Sequence, residues 1–229
     1  MRPPTGTPSS AARDVSRETV TVEIEREPAG VDALFGARAD LARRFTAALG
    51  AHGEERGLIG PLEPPRLWSR HILNSAVAAP LFAAGSRVGD IGSGAGLPGL
   101  VLAIARPDVR WVLIEPMERR VAWLDEQVAD LGLDNVEVVR ARGEEWREGP
   151  VLDAVTARAV SAFRTLIPLT APLVRDGGEL ILLKGANAAN EITAADKQIR
   201  RYKLSHVRVE PVGEGVVDEP TRLIRASVR

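Results

Sequence analysis

The segment Val88-Gly89-Asp90-Ile91-Gly92-Ser93-Gly94-Ala95-Gly96-Leu97-Pro98-Gly99 constrains this chain more than any other. An apolar run ends in an acidic residue. Glycines 92, 94, 96 and 99 then fall within eight positions, and the apolar run Leu100 to Ala105 follows. That is the layout of a strand, a tight turn and a helix whose free N–H groups face a ligand. Glycine is required where the backbone takes positive φ or must approach a ligand too closely to carry a Cβ. An ordinary turn does not need four of them.

From Arg87 onward the chain alternates between strand-like and helix-like patterns. Strands are expected at Val88–Ile91, Trp111–Glu115, Val136–Arg140, Ala154–Ala157 and Leu180–Lys184, and helices around Leu100–Ala105, Glu118–Leu131, Phe163–Val174 and Asn190–Tyr202. Such alternation implies right-handed crossovers and a mainly parallel sheet covered on both faces. His206–Glu210 and Arg222–Val228, separated by a Gly- and Pro-containing stretch, read as a hairpin at the sheet edge, for seven strands in all. Ahead of this unit, Asp32 is placed to cap a helix carrying Leu34, Leu41, Phe45, Ala48 and Leu49 and ending near Gly50. A second helix starts after Pro64-Pro65, with Leu67, Trp68, Ile72 and Leu73 on its buried stripe. Residues 1–28, rich in Pro, Ser, Thr, Arg and Glu, read as a disordered tail, with a short strand through Val20, Val22 and Ile24 as a minor variant. The division is then 1–28 tail, 29–84 helical extension and 85–229 α/β unit, the last two forming one compact body.

Composition removes several classes of chemistry. With 45% apolar and 27% charged residues over 229 positions, the chain buries one large core. It has no cysteine, which excludes disulfides, thiolate zinc sites and a cysteine nucleophile. His52, His71 and His206 are too scattered for a metal motif, so no metal is expected. No apolar run approaches the roughly 20 residues of a membrane span. The stretch Pro3 to Ser10 lacks the apolar core of a signal peptide, so the reading is a soluble cytoplasmic protein. A net charge of −1 argues against a general nucleic-acid coat, and leaves room for RNA contact through a local patch.

Gly94-Ala95-Gly96-Leu97-Pro98-Gly99 fits G-x-G-x-x-G, a weak signal alone. Glu115, 23 residues past Gly92, stands where a carboxylate can accept both ribose hydroxyls of an adenosine cofactor, whether NAD or S-adenosylmethionine. Asp90 separates the two. A carboxylate two residues before the first glycine is unfavourable beside a pyrophosphate and suits the ammonium and sulfonium of S-adenosylmethionine. Gly143-Glu144-Glu145 after the third strand agrees with an adenine site. A methyltransferase is therefore favoured over a nucleotide-dependent oxidoreductase, and over a non-catalytic cofactor or RNA-binding module. Asp90 and Glu115 as mere helix caps, and Trp111, Trp123 and Trp146 as core residues, are the plainer alternatives.

The methylated atom is narrowed by what is missing. Carbon methylation through cysteine is impossible, and Ala157-Arg158-Ala159-Val160 stands where an Asn/Asp-Pro-Pro-aromatic loop would hold an exocyclic amine. Guanine N7 has an exposed lone pair and needs no deprotonation, so alignment and electrostatics suffice. Arg158 is the candidate for orienting the reaction, through guanine O6, a phosphate or the cofactor carboxylate. Ribose 2′-O transfer remains as an alternative, with Asp153 and Lys184 as half of its usual set.

Trp68-Ser69-Arg70-His71-Ile72-Leu73-Asn74-Ser75, the glycine segment, Arg119-Arg120-Val121-Ala122-Trp123-Leu124, Ala141-Arg142-Gly143-Glu144-Glu145, Thr156-Ala157-Arg158-Ala159-Val160 and Leu183-Lys184-Gly185 occur in that order. Together they resemble the RsmG family, also called glucose-inhibited division protein B, from about residue 32 to the C-terminus. The resemblance implies a Rossmann-like class I methyltransferase fold. It also implies a bacterial enzyme that makes 7-methylguanosine in 16S rRNA of the small ribosomal subunit, at the guanine usually numbered 527. It implies S-adenosylmethionine contacts at Gly92, Leu97, Gly143, Glu144 and Arg158, joining Asp90, Gly94, Gly96 and Glu115. Two positions depart from the family pattern: Gly89 interrupts the first strand, and Asn74 replaces a common aspartate. Arg70 and His71 face the site or the RNA, or His71 packs beside Trp68. Further RNA candidates are Arg66, Arg119, Arg120, Arg164, Lys184, Arg200, Arg201 and Lys203, expected as a patch around the cofactor mouth. A monomer is expected for a protein that works on so large an assembly.

Overall fold

The computed structural model describes residues 23–146 and 151–229. Its centre is one seven-stranded sheet in the order β3-β2-β1-β4-β5-β7-β6. The strands are β1 Arg87–Ile91, β2 Arg110–Ile114, β3 Val136–Val139, β4 Leu152–Arg158, β5 Val174–Lys184, β6 Ser205–Val212 and β7 Thr221–Ser227. The first five are parallel, and β7 runs antiparallel between β5 and β6. The order reverses at β1, which pairs with β2 on one side and β4 on the other, and ligands in open parallel sheets bind beyond the strand ends at such a switch point.

Alternation of side chains along each strand divides the core into two layers. Trp111 and Leu113 of β2 point into one, Val112 and Ile114 into the other; Ile181 and Leu183 of β5 are likewise separated from Leu180 and Leu182. The first layer receives α1 Val31–Phe35, α2 Ala39–His52, a π-helical turn at Leu67–Leu73 running into α3 Asn74–Ala76, α4 Gly99–Ala105 and α5 Glu118–Leu131. The second receives α6 Phe163–Thr170, α7 Ala188–Ala194 and α8 Asp196–Arg201. Phe35, Phe45 and Leu67 share their cluster with Leu100, Trp111 and Trp123, so the N-terminal helices close the same core as the sheet.

Several elements differ in detail from the sequence reading. The first helix is split into α1 and α2 by a single tight turn, Gly36–Arg38, and extends past Gly50 to His52. Asp32 lies inside α1, behind Gly30, and pairs with Arg43 at 2.9 Å instead of capping. The helix expected at Phe163–Val174 stops at Thr170, followed by one tight turn holding Pro172. That expected at Asn190–Tyr202 is two helices broken at Ala195. The tail lies largely outside the described residues, as do Val20 and Val22. Residues 23–28 form no strand but are anchored. Glu25 N–H donates to Pro64 O at 2.9 Å, and its carboxylate accepts from Ser69 N and Oγ at 2.9 and 3.1 Å.

The turn into β3 is secured by one side chain. Asn135 Nδ2 faces the carbonyls of Ala103, Arg106 and Val109, each at 3.1 Å, and so joins the end of α4 to the start of β2. Asn135→Ala removes all three contacts, though Arg106 O keeps Val109 N–H and the Trp111 indole and Ala103 O keeps Arg38, and is expected to cost about 1–3 kcal/mol, a fall of several degrees in melting temperature by scanning calorimetry. An unchanged melting temperature would show the three contacts to be dispensable.

Candidate functional site

The glycine loop after β1 is bound from three directions. Gly92, Gly94 and Gly96 have φ of +72°, +56° and +91°, values a side chain resists. Glu115, at the end of β2, accepts Gly94 N–H and Met117 N–H, one on each oxygen, both at 2.9 Å. Trp123 of α5 donates its indole N–H to Ala95 O at 3.1 Å. From below, Asp90 Oδ2 accepts Gly99 N–H, the first of α4, at 3.0 Å. A Cβ on Gly99 would meet that carboxyl oxygen at 2.5 Å, which explains the fourth glycine.

Asp90 itself is wholly buried, and its Oδ1 has no partner among the described residues. A sealed side chain cannot touch a cofactor's cationic end directly, so any influence it has on a ligand passes through the loop above it. Burial pushes its carboxyl up to about 7, with nearby Glu115 adding to the rise.

Beyond the loop lies a cavity of about 600 Å³. Its walls come from the ends of β1, β2 and β3 and from α6: Gly92, Ile114, Met117, Gly143, Glu144 and Leu169 among them. A Cβ on Gly143 would lie 3.2 Å from Ile91 and 3.3 Å from Leu169 O, so that position is kept bare by crowding. A second, larger cavity of about 1160 Å³ opens on the other side of Val160, between the ends of β4 and β5, the segment 66–74 and the loop 215–222. Val160 lines both cavities. It is presented by Ala159, whose φ of +55° is unusual for a residue with a Cβ.

Arg158 ends β4 and turns toward the π-helical turn. Its guanidinium donates to Arg70 O at 2.9 Å, His71 O at 3.3 Å, Ser75 Oγ at 3.2 Å and His71 Nδ1 at 2.9 Å. His71 Nε2–H in turn donates to Glu63 at 2.6 Å. The two contacts assign His71 a neutral tautomer. Burial and the adjacent Arg158 charge draw it down to about 4. Burial, with Arg70 alongside, also lowers Arg158 to about 10, still a cation at neutral pH.

The family model described as rRNA small subunit methyltransferase G matches residues 38–219. A relative from Leifsonia xyli subsp. xyli, named Ribosomal RNA small subunit methyltransferase G, is 66% identical over 92% of this chain and 100% of its own length. The chain belongs to the rRNA small subunit methyltransferase G family. A member from Clavibacter michiganensis subsp. michiganensis is 67% identical over 90% of this chain and 97% of that protein. Among solved structures, a SAM dependent methyltransferase from Aquifex aeolicus aligns with a TM-score of 0.55 at 18% identity, over 73% of this chain and 95% of that one. M. jannaschii TYW2 in complex with AdoMet gives 0.54 at 18% identity, over 70% and 76%. These place the fold among the class I S-adenosylmethionine-dependent methyltransferases.

As a member of the rRNA small subunit methyltransferase G family, the chain carries its sequence-selected residues at two ends of the sheet. Arg70, Arg119, Arg120 and Arg164 stand at the glycine-loop end, as do Arg66 and Leu97. Arg200 and Arg201 do not. They end α8 just before Ser205, whose partner Ser227 pairs with Glu179, five residues before Lys184 on β5, about 17 Å from the loop end. Arg200 is taken by Asp196, and Arg201 lies over Tyr202. Lys184 is also no phosphate grip: its side chain is 7% exposed and paired with Glu191 at 2.9 Å. Asp153 sits at the opposite end of β4, bound to Arg87 N–H and Arg175, so it forms no set with Lys184. Sequence reasoning missed Arg222, exposed on the large cavity, and Arg140 and Arg142 on the smaller one. Each was one arginine among many, and only pairing in the sheet places it.

The buried carboxyl gives a pH test. Asp90 titrates at about 7 when folded and near its ordinary 3.8 when unfolded, so the folded state binds the extra proton and stability falls as pH rises from about 4 to 7. His71, lowered to about 4 from 6.5, has the opposite sign, and its contribution rises with pH over about 4 to 6.5. Asp90→Asn removes the first and keeps the second. The stability of the parent minus that of the variant, from urea melts of unliganded protein, is expected to decrease across pH 4 to 7. Parallel curves would mean that Asp90 is ionised throughout.

Proposed function

We propose that this chain transfers a methyl group from S-adenosylmethionine to N7 of a guanine in 16S rRNA of the small ribosomal subunit, at the position the family resemblance implies, 527. The observation that carries the reading is the pair of cavities meeting at Val160, one beside a glycine loop and the other facing exposed arginines. A two-substrate transfer needs such a junction and little else there.

The residues present suit the cofactor. The smaller cavity has apolar walls at Ile91, Ile114, Met117 and Leu169, an acid at Glu144 and bare backbone at Gly92 and Gly143. Its volume is in the range of ordinary small-molecule sites. Glu115 would meet the ribose with the lone pairs left by Gly94 and Met117, and Gly143 with Glu144 would meet the adenine. Bound there, the cofactor supplies an electrophilic methyl group. Guanine N7 already bears a free lone pair, so the chain is asked for no general base. His71 fits that economy, being neutral, buried and held between Arg158 and Glu63. The chain's work is to align and to exclude water. Arg158 acts as a positioning residue, holding segment 70–75 against the end of β4 so that the two cavities keep one relative placement.

Ribose 2′-O transfer is not favoured, because Lys184 is committed to Glu191 and Ser161 O and Asp153 is a sheet length away. The deciding experiment uses methyl-labelled S-adenosylmethionine and small subunits from cells lacking the gene, with nucleoside digestion and mass spectrometry. Label is expected as 7-methylguanosine at one position; label in a 2′-O-methyl nucleoside would overturn the assignment.

The exposed arginines divide by location. Arg70→Ala and Arg222→Ala are each expected to weaken subunit binding and to lower the slope of log affinity against log salt by about 1. Arg201→Ala, at the far end, is expected to leave both unchanged. Equal effects from all three would dissolve the patch.

A further inference from the structure

The large cavity ends, beyond Val160, on a half-buried ion pair that methyl transfer itself does not use. Lys184 Nζ donates to Ser161 O at 2.6 Å and sits 2.9 Å from Glu191 Oε2. The same Oε2 accepts Phe163 N–H, the first of α6, at 2.7 Å. Both donors thus grip one oxygen of Glu191. Among the described residues nothing donates to Oε1, and Glu191 lines the cavity. Ser161, which lines it too, has a buried Oγ with no partner. The ammonium and the backbone N–H fix the plane of the carboxylate. What remains is an acceptor open to the cavity beside an orphaned buried hydroxyl, and the hydroxyl is costly unless a ligand brings a donor to it.

We propose that Glu191, with Ser161 beside it, reads the Watson–Crick edge of the target base and makes the chain specific for guanine. The proposal rests on the guanine-N7 reading above and deepens it. Guanine carries N1–H and N2–H donors side by side on that edge, whereas adenine carries a lone pair at N1. N7 lies on the adjacent edge, which shares O6 with the Watson–Crick edge and faces roughly at a right angle to it. A purine that turns N7 toward Val160 can therefore present its Watson–Crick edge sideways along the sheet, toward β5 and α7, where Glu191 stands. From β1 to β5 is two strand spacings, about 10 Å, which leaves room for one base between them. Reading the Watson–Crick edge requires a base out of its stack, as enzymes acting on nucleobases do. Glu191 Oε1 accepts N1–H, and Ser161 Oγ accepts from the exocyclic amine. Lys184 touches neither; it is a positioning residue that keeps Glu191 aimed.

The test uses reconstituted small subunits carrying guanosine, inosine or adenosine at the target position, with kcat/KM measured for 7-methyl product. Inosine keeps N1–H and lacks the N2 amine. The parent protein is expected to favour guanosine over inosine by about 10- to 100-fold, the worth of one good base contact, and to reject adenosine. Glu191→Gln, which alters the N1–H contact that guanosine and inosine share, is expected to lower kcat/KM for both by a similar factor of about 10 to 100, with calorimetric affinity for S-adenosylmethionine preserved as the sign of an intact fold. A parent protein that methylates inosine and guanosine equally overturns the proposal without any variant. A folded Glu191→Gln that keeps the full kcat/KM on guanosine does the same. Should that variant not fold, Ser161→Ala decides, since it leaves the ion pair alone: a narrowed ratio supports the proposal and an unchanged one overturns it. A parent protein that labels no guanine N7 defeats the methyl-transfer reading, and this proposal with it, by a result distinct from any change in base preference.

Discussion

The glycine loop is only as defined as the groups that hold it. Three left-handed glycines in five residues leave only Ser93, which donates to Asp90 O, and Ala95 to fix the path from within, so most of the restraint comes from neighbours. Glu115 holds the loop from the end of β2, Trp123 from α5 and Asp90 from β1, through the first N–H of α4. Those three residues belong to three elements, and the sheet order sets all three in place. A parallel sheet that switches direction at β1 brings the end of β2 and the start of α5 beside the loop. Both cavities open from that edge, so their walls inherit its rigidity.

Arg158 does for the larger cavity what Glu115 does for the loop. It is a half-buried cation whose direct partners are two carbonyls, a hydroxyl and a neutral imidazole, and among the described residues no carboxylate touches it. Compensation reaches it through His71 from Glu63. Removing a buried charge from water costs several kcal/mol, which a dense set of acceptors offsets here. The π-helical turn at Leu67–Leu73 supplies those acceptors, since its wider winding leaves carbonyls pointing out of the helix.

Much of the architecture was legible in the sequence because strand and helix periodicities are local. The parallel unit, the helix Glu118–Leu131 and the closing hairpin all follow from apolar spacing and glycine placement. What was not legible depends on partners distant in the chain. Nothing local distinguishes Lys184, which turns inward to Glu191, from Arg222, which stays exposed, and the two are paired where β5 ends and β7 begins. The sequence equally cannot show that Asp90 is sealed beneath the loop it precedes, because burial is set by α4 folding back over it. Arg200 and Arg201 looked like part of one basic group with Arg70. Only the descent of α7 and α8 along the sheet carries them to its other end.

The seam at Arg158 has a consequence for how the chain is made. Its hydrogen bonds to residues 70–75 span 83 to 88 positions. During synthesis the N-terminal helices emerge well before β4 exists. Phe45 and Leu67 bury themselves against Leu100 and Trp111, which also come later, so those helices have no core of their own to settle on. The nascent chain must wait for α4 and β2 before its earliest helices have a core, and for β4 before Arg158 ties down residues 70–75. Truncation after α3 would therefore leave apolar helical surface uncovered, a natural target for chaperone capture.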